Sequence, residues 1–326
     1  MVDVLVVGAG PSGLSCAIEA KKVGLSVLIL EKGSLVDSLR RFPSNLVWFS
    51  TPELLEIGGI PFTTSSLRPS RVEVLNYYQR VAHHYQLPVR YFDSVEEITA
   101  EERSFRLRTG KKTTYEACSV VLATGYFDHP NKLDVPGEDL PHVTHYYTEP
   151  FKYFDCDVAV VGGRNSAVEA ALDLFRHGSR VTLIHRGEAL STGIKYWILP
   201  DIENRIKAGE IKALFQSEVM EVRKRALLVR TPGGHQELSS DFLFVLIGFQ
   251  PDADLLTRFG VKVDPTSLAP MHDPDTYETN VPGLYVAGAV IAGKNNNKVF
   301  VENGRLHGKA IIASILSKVS HRQTSP

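Results

Sequence analysis

The chain has 326 residues, 43% of them apolar and 22% charged, with a formal net charge of −1. That length suits two domains of ordinary size, and the near-neutral balance gives no support for a nucleic-acid or anionic-membrane partner. No apolar run reaches the ~20 residues of a membrane-spanning helix, and the scattered Cys16, Cys118 and Cys156 exclude a disulfide scaffold, a four-thiolate metal site and a Cys-x-x-Cys pair.

The opening run "VDVLVVGAG" reads as a buried strand entering a turn, which leaves no room for a leader peptide and makes a cytoplasmic location the expectation. It continues into "PSGLSCAIEA", so that Gly8, Gly10 and Gly13 form a Gly-x-Gly-x-x-Gly phosphate cradle, followed by a helix and a second strand ending at Glu31. Residues 34–70 read as a polar, aromatic-bearing insertion. After Val95 come short alternating segments with a turn at "RTGKKT", then a buried strand ending at Gly125. Residues 129–152 read as a linker. The grammar then repeats: "DVAVVGGRNSAVEAALDLFRHGSRVTLIHRG" is strand, glycine turn, helix and strand, and Gly162 to His185 spans the same 23 positions as Gly8 to Glu31. A second meander follows Val219, with a turn at "TPGGH" and a buried strand ending at Gly248. The carboxyl-terminal "AGKNNNKVFVENGRLHGKAIIASIL" reads as a polar loop entering a helix, with Ile311, Ile312, Ile315 and Leu316 at helical spacing.

These elements predict an α/β fold of two Rossmann-like dinucleotide-binding domains, each a βαβ unit with a β-meander crossover. The expected division is 1–128 and 249–326 for the first domain, 129–152 for the linker and 153–248 for the second domain. One cradle is a weak signal; two with matched spacing and matched meanders are a strong one.

The ends of the second strands separate the two nucleotides. Glu31 can accept hydrogen bonds from an adenosine ribose and repels a 2′-phosphate, which suits FAD. His185 and Arg186 present donors and positive charge, which suits the 2′-phosphate of NADPH. The second cradle carries Arg164 where a middle glycine is usual. Two readings of it stand equal: a cationic lid over the pyrophosphate, or a side chain in solvent. Asn165 and Ser166 add donors at the helix start. Lys195, in "IKYWILP", is read either as a phosphate contact or as a solvated charge. Cys16, Cys118 and Cys156 are read as packing residues, because cysteine is among the most often buried types. His83 and His84 read as surface residues, and no metal site is expected.

The motifs "GAGPSGL", "ATGY", "GGRNSA", "IKYWILP", "YETNVPGLYVAG" and "VFVENGRLHG" together resemble the two-dinucleotide-binding flavoproteins of the low-molecular-weight thioredoxin reductase type, and most of all the bacillithiol disulfide reductase family. The resemblance spans nearly the whole chain. It implies an FAD-containing, NADPH-dependent reductase, homodimeric, passing electrons from NADPH through flavin to a disulfide. The FAD contacts it implies are Gly8, Gly10, Pro11, Ser12, Gly13, Glu31, Lys32, Val95, Ala123, Thr124, Gly125, Gly288 and Ala289. The NADPH contacts are Gly162, Arg164, Asn165, Ser166, Ala167, His185, Arg186, Lys195 and Gly248. In related flavoproteins the last helix aims its amino terminus at the flavin, so Asn297, Glu302 and Asn303 are read either as lying near the ring or as capping and packing residues. Trp48, Phe49, Tyr126 and Phe127 flank segments expected near the isoalloxazine and are read as stacking candidates or, more simply, as core or rim.

Three departures qualify the resemblance. The stretch "THYYTEPFKYFDCD" lacks the Cys-x-x-Cys of thioredoxin reductases. Ser12 stands where bacillithiol disulfide reductases carry a cysteine, and a hydroxyl cannot form a mixed disulfide. "GLYVAGA" ends in Ala289 where many flavoproteins have aspartate. The expectation is therefore that Ser12 donates to the FAD pyrophosphate and that electrons leave the flavin without a protein thiol. The acceptor is a small-molecule disulfide, with ferredoxin or flavodoxin as the main alternative. A flavin monooxygenase is disfavoured, since residues 140–160 lack its Phe-x-Gly-x-x-x-His signature.

Overall fold

Val2–Val7 forms β1 and is buried from Val4 to Val7, as a strand covered on both faces must be. The computed structural model describes residues 1–295 and 297–324, with side chains as far as Lys318. From β1 the chain turns into α1 (Pro11–Lys22), which has proline at its start, where a missing N–H costs nothing. β2 (Val27–Leu30) returns parallel to β1, Val4 facing Val27. The inserted segment holds the short α2 (Asp37–Arg40) and a 3₁₀ turn at Pro52–Leu55. α3 (Arg71–His84) opens on a capping box between Ser70 and Glu73. Then come β3 (Val89–Arg90), β4 (Val95–Ala100), β5 (Phe105–Thr109) and β6 (Thr114–Leu122). β6 does two jobs: its first half pairs antiparallel with β5 and its second half runs parallel to β1. The strand order is β3-β2-β1-β6-β5-β4.

β7 (Val143–Thr144), β8 (Asp157–Val161), α4 (Asn165–Arg176) and β9 (Arg180–Ile184) begin the second set, followed by α5 (Leu199–Lys207) and β10 (Lys212–Leu214). β11 (Glu218–Arg223), β12 (Ala226–Thr231) and β13 (Gly234–Ser239) form a separate antiparallel sheet. β14 (Phe242–Val245) joins a parallel sheet of order β10-β9-β8-β14-β7. The chain ends with α6 (Ala253–Arg258), β15 (Leu284–Val286) beside β6, a 3₁₀ turn at Gly288–Ala292, α7 (Val301–Gly304) and α8 (His307–Thr324). Among the described residues no helix is long and apolar enough to cross a membrane.

The fold divides into two units: Met1–Arg41, Asn45–His129 and Phe249–Pro326 in one, Phe42–Ser44 and Pro130–Gly248 in the other. Each carries one βαβ unit and one meander, so the two Rossmann-like domains read from the sequence are present. The expected linker 129–152 does not behave as one. From Pro130 it belongs to the second unit, where Leu133, Val135, Leu140 and Val143 pack on the core between the parallel sheet and the meander. Val143 also pairs with Leu243. These four side chains are partly buried against that core, and their apolar contacts hold the stretch to the second unit.

Candidate functional site

The first glycine turn joins β1 to α1. A Cβ on Gly8, at φ +109°, would come 2.5 Å from Ala123 O, so glycine is required there. A Cβ on Gly13 would run into Gly8 O, which explains how α1 lies so close to β1. A Cβ on Gly10 meets nothing within 4 Å: the middle glycine faces open space, where backbone can approach a pyrophosphate. α1 starts with no side-chain cap and no acid in its first turn, whereas Ser70 and Asp252 cap α3 and α6. The first amides of α1 are left for an anion, and the turn fits a dinucleotide.

Glu31 follows β2 and is buried. Its two oxygens accept Ala9 N–H and Gly33 N–H, each at 2.7 Å, and each oxygen keeps a lone pair for a ribose hydroxyl. Burial raises its pKa, against these two amides and Lys32, which favour the anion. Lys32 is engaged with Asp128 at 2.7 Å, and Asp128 also pairs with Arg41; its charge is not free for a phosphate. Val95 starts β4 with its side chain in the core, so any cofactor contact it makes is through its backbone. Ala123, Thr124 and Gly125 follow β6, half-buried, with Gly125 at φ +66° facing open space.

Ser12 points toward Gly288 and Gly304: a Cβ on Gly288 would lie 2.5 Å from Ser12 Oγ, and one on Gly304 2.9 Å from it. Among the described residues Ser12 Oγ has no hydrogen-bond partner, which leaves it free to donate. Cys16, one turn on, is fully buried; a Cβ on Gly308 would lie 3.0 Å from its backbone. Burial pushes its thiol up to about 12. Cys156, half-exposed, is also raised, by burial first and by Asp241 next.

The insertion is fastened down rather than open. Ser50 donates to Glu302 Oε1 at 2.5 Å, Arg305 donates to Glu56 O, and the rings of Phe49 and Phe300 meet edge to face at 5.8 Å. Trp48 is buried and Phe49 exposed. Asn303 is occupied locally, accepting Phe300 N–H and donating to Lys298 O, both at 2.8 Å. Tyr126 and Phe127 lie against Phe249, ring centres 6.3 and 4.7 Å away. The expected single carboxyl-terminal helix is two, α7 and α8, broken at Arg305 and Leu306.

In the second unit Gly162 sits at φ +146°, and a Cβ there would lie 2.6 Å from Leu246 O and 2.7 Å from Ala167 Cβ. Ala167 therefore substitutes for the third cradle glycine because Gly162 has no Cβ to oppose it. Arg164 is the uncapped N-cap of α4, exposed, with extended backbone. Arg186 is exposed as well, and neither arginine has an ion-pair partner among the described residues. The segment after β9 is pinned across the turn: Ser191 N–H donates to Gly163 O, Asn165 donates to Gly193 O, and Asn165 accepts Lys195 N–H at 2.9 Å. The sequence reading missed this clamp, whose only local signal is an asparagine at the helix start. Lys195 is committed to Glu169 at 2.5 Å. His185 needs a correction. Its ring lies over Gly163 and Gly187, and burial, then Arg186, lowers its pKa. It brings a neutral donor or acceptor; the positive charge at this strand end is that of Arg186. Gly248, at φ +95°, closes the strand through its carbonyl, which accepts Asn131 N–H.

Comparison with known proteins agrees with this architecture. Residues 5–288 match the family model described as pyridine nucleotide-disulphide oxidoreductase. The bacilliredoxin reductase of Bacillus subtilis is 41% identical, covering 97% of this chain and 98% of its own length. The solved bacillithiol disulfide reductase of Bacillus cereus superposes with a TM-score of 0.95 at 40% identity, covering 97% of this chain and 99% of that one. A ferredoxin–NADP reductase of Ignicoccus hospitalis is 26% identical over 94% of this chain and 96% of its own. The resemblance read from the motifs is thereby borne out. The chain belongs to the pyridine nucleotide-disulphide oxidoreductase family, and is a flavoprotein oxidoreductase with FAD and NADPH as its cofactors.

Proposed function

We propose that this protein reduces a low-molecular-weight disulfide of the bacillithiol type, drawing on NADPH in the second cradle through FAD in the first, with no protein thiol in the electron path. The near-full-length likeness to a bacillithiol disulfide reductase carries the substrate class. When bound, the nicotinamide supplies hydride and the flavin relays the electron pair, so that one disulfide and two protons yield two thiols.

The chain's own residues do the holding. Gly10 and the uncapped first turn of α1 receive the FAD pyrophosphate, with Ser12 Oγ as an additional donor. Glu31 accepts from the adenosine ribose while fixing the cradle through Ala9 and Gly33. Arg164 and Arg186, exposed and unpaired, take the phosphates of NADPH. The absence of a thiol step rests on Ser12 and on Cys16, whose burial leaves almost no thiolate at neutral pH. The working species is proposed to be a homodimer, following the family resemblance.

A second reading, electron transfer to ferredoxin, is favoured by the likeness to the Ignicoccus enzyme and by Ser12 and the buried Cys16 at the first cradle. Anaerobic reduction with NADPH, followed by bacillithiol disulfide or oxidised ferredoxin, separates the two. Fast, saturable reoxidation by the disulfide is the expected result. Reoxidation by ferredoxin alone would replace this reading with the second.

A further inference from the structure

We infer that His307 is a positioning residue for the first cofactor site: it accepts the Gly288 amide and thereby fixes the Gly288–Ala289 turn against which FAD is held. The inference rests on the FAD reading of the first cradle.

His307 opens α8 and is 6% exposed. Gly288 N–H donates to its Nδ1 at 3.1 Å, in a buried bond. Nδ1 must therefore carry a lone pair, and the ring proton sits on Nε2. The Tyr277 ring stacks on the imidazole with centres 4.3 Å apart and planes 16° from parallel. The His272 ring also stacks on Tyr277, with centres 6.0 Å apart. Burial, then His272, holds the His307 pKa near 4, and the amino terminus of α8 disfavours a cation in the same direction. The acceptor is thus present throughout the neutral range.

The turn it grips has no slack elsewhere. Gly288 is at φ +75°, a conformation suited to glycine, and Ser12 fills the space beside its Cα. Ala287 N–H is already bonded to Leu122 O at 2.9 Å. The β6 strand, the Ser12 side chain and His307 thus hold three successive points of one segment, and Ser12 belongs to the cradle itself. Without the imidazole, the Gly288 N–H is a buried donor with no acceptor, and the peptide is driven to rotate toward another partner. An apolar residue would fill this space more cheaply; only a side chain with an acceptor at the Nδ1 position serves the amide.

The test compares His307→Asn, whose Oδ1 stands close to the place of Nδ1, with His307→Gln, which keeps a polar amide but carries its acceptor one bond further out, and with His307→Leu. Each purified protein is stripped of flavin and titrated with FAD, and the absorption band and midpoint potential of the bound flavin are recorded. The expected result is FAD affinity, band and potential near wild type for Asn, with affinity at least ~10-fold weaker for Gln and Leu and both flavin signatures displaced. Equal affinity and signatures in Gln and wild type would overturn the role of His307, as would an Asn variant as impaired as Gln. The Asn and Gln pair keeps the comparison informative if Leu does not fold. A wild-type chain that takes up no FAD would overturn the cradle assignment, and this inference with it.

Discussion

Cys16 lies against the backbone of α8, where Gly308 has no side chain to displace it, and its burial lifts the thiol to about 12. A sulfur so placed packs; it does not attack. Iodoacetamide at pH 8 should leave Cys16 unmodified in the folded holoprotein, by peptide mass mapping, and modify it after denaturation; rapid labelling of the native protein would contradict this. Arg186 and His185 divide what the sequence reading had joined. The imidazole is turned onto the glycine turn and its pKa is lowered, so the proposed 2′-phosphate contact falls to the Arg186 guanidinium. Arg186→Ala should raise the KM for NADPH by roughly 10-fold or more, the worth of a charge-assisted hydrogen bond, and leave the KM for NADH almost unchanged. Equal effects on both coenzymes would remove Arg186 from 2′-phosphate recognition. The residue types at 185 and 186 were legible; the ring's direction was not, since it depends on Gly163 and Gly187 offering no Cβ.

At the scale of elements, the three glycines of the first turn serve different ends, and their substitutions should part accordingly. Gly10→Ala meets no protein atom and has ordinary extended backbone, so the apoprotein should melt within about 2 °C of wild type while FAD binding is lost or greatly weakened. Gly13→Ala forces α1 away from Gly8 O and should lower the melting temperature by several degrees before any cofactor is considered, since overpacking of this kind costs about 1–3 kcal/mol. Calorimetry of the two apoproteins checks the contrast; comparable loss in both would mean that Gly10 is structural. The pairing of α1 with α7 and α8 was not read from the sequence, although its spacing is there. Ser12 and Cys16 are four apart, as are Gly304 and Gly308, and small residues at that spacing allow close approach of two helices. His307 was not legible. A histidine at a helix start reads as polar surface, and what buries it, Tyr277, lies 30 positions earlier in the chain. The packing of residues 129–152 was not legible for a related reason: what their apolar side chains meet is contributed by strands distant in the chain.

For the whole molecule, periodicity and the repeated 23-residue spacing carried the architecture, because a buried parallel strand, a glycine turn and an amphipathic helix each have a strong local signature. What the repeat concealed is a difference between the halves. β6 runs from meander into parallel sheet as one strand, while β13 and β14 are separate, broken at Ser240 and Asp241. As proposed above, this member of the pyridine nucleotide-disulphide oxidoreductase family works on its substrate with no thiol of its own. The direct measurement uses the variant Cys16→Ala, Cys118→Ala, Cys156→Ala, loaded with FAD, and follows NADPH-dependent release of thiol from bacillithiol disulfide. Turnover close to the wild-type rate is the expected result. A variant whose flavin is still reduced by NADPH but which releases no thiol would contradict the claim and return a cysteine to the electron path.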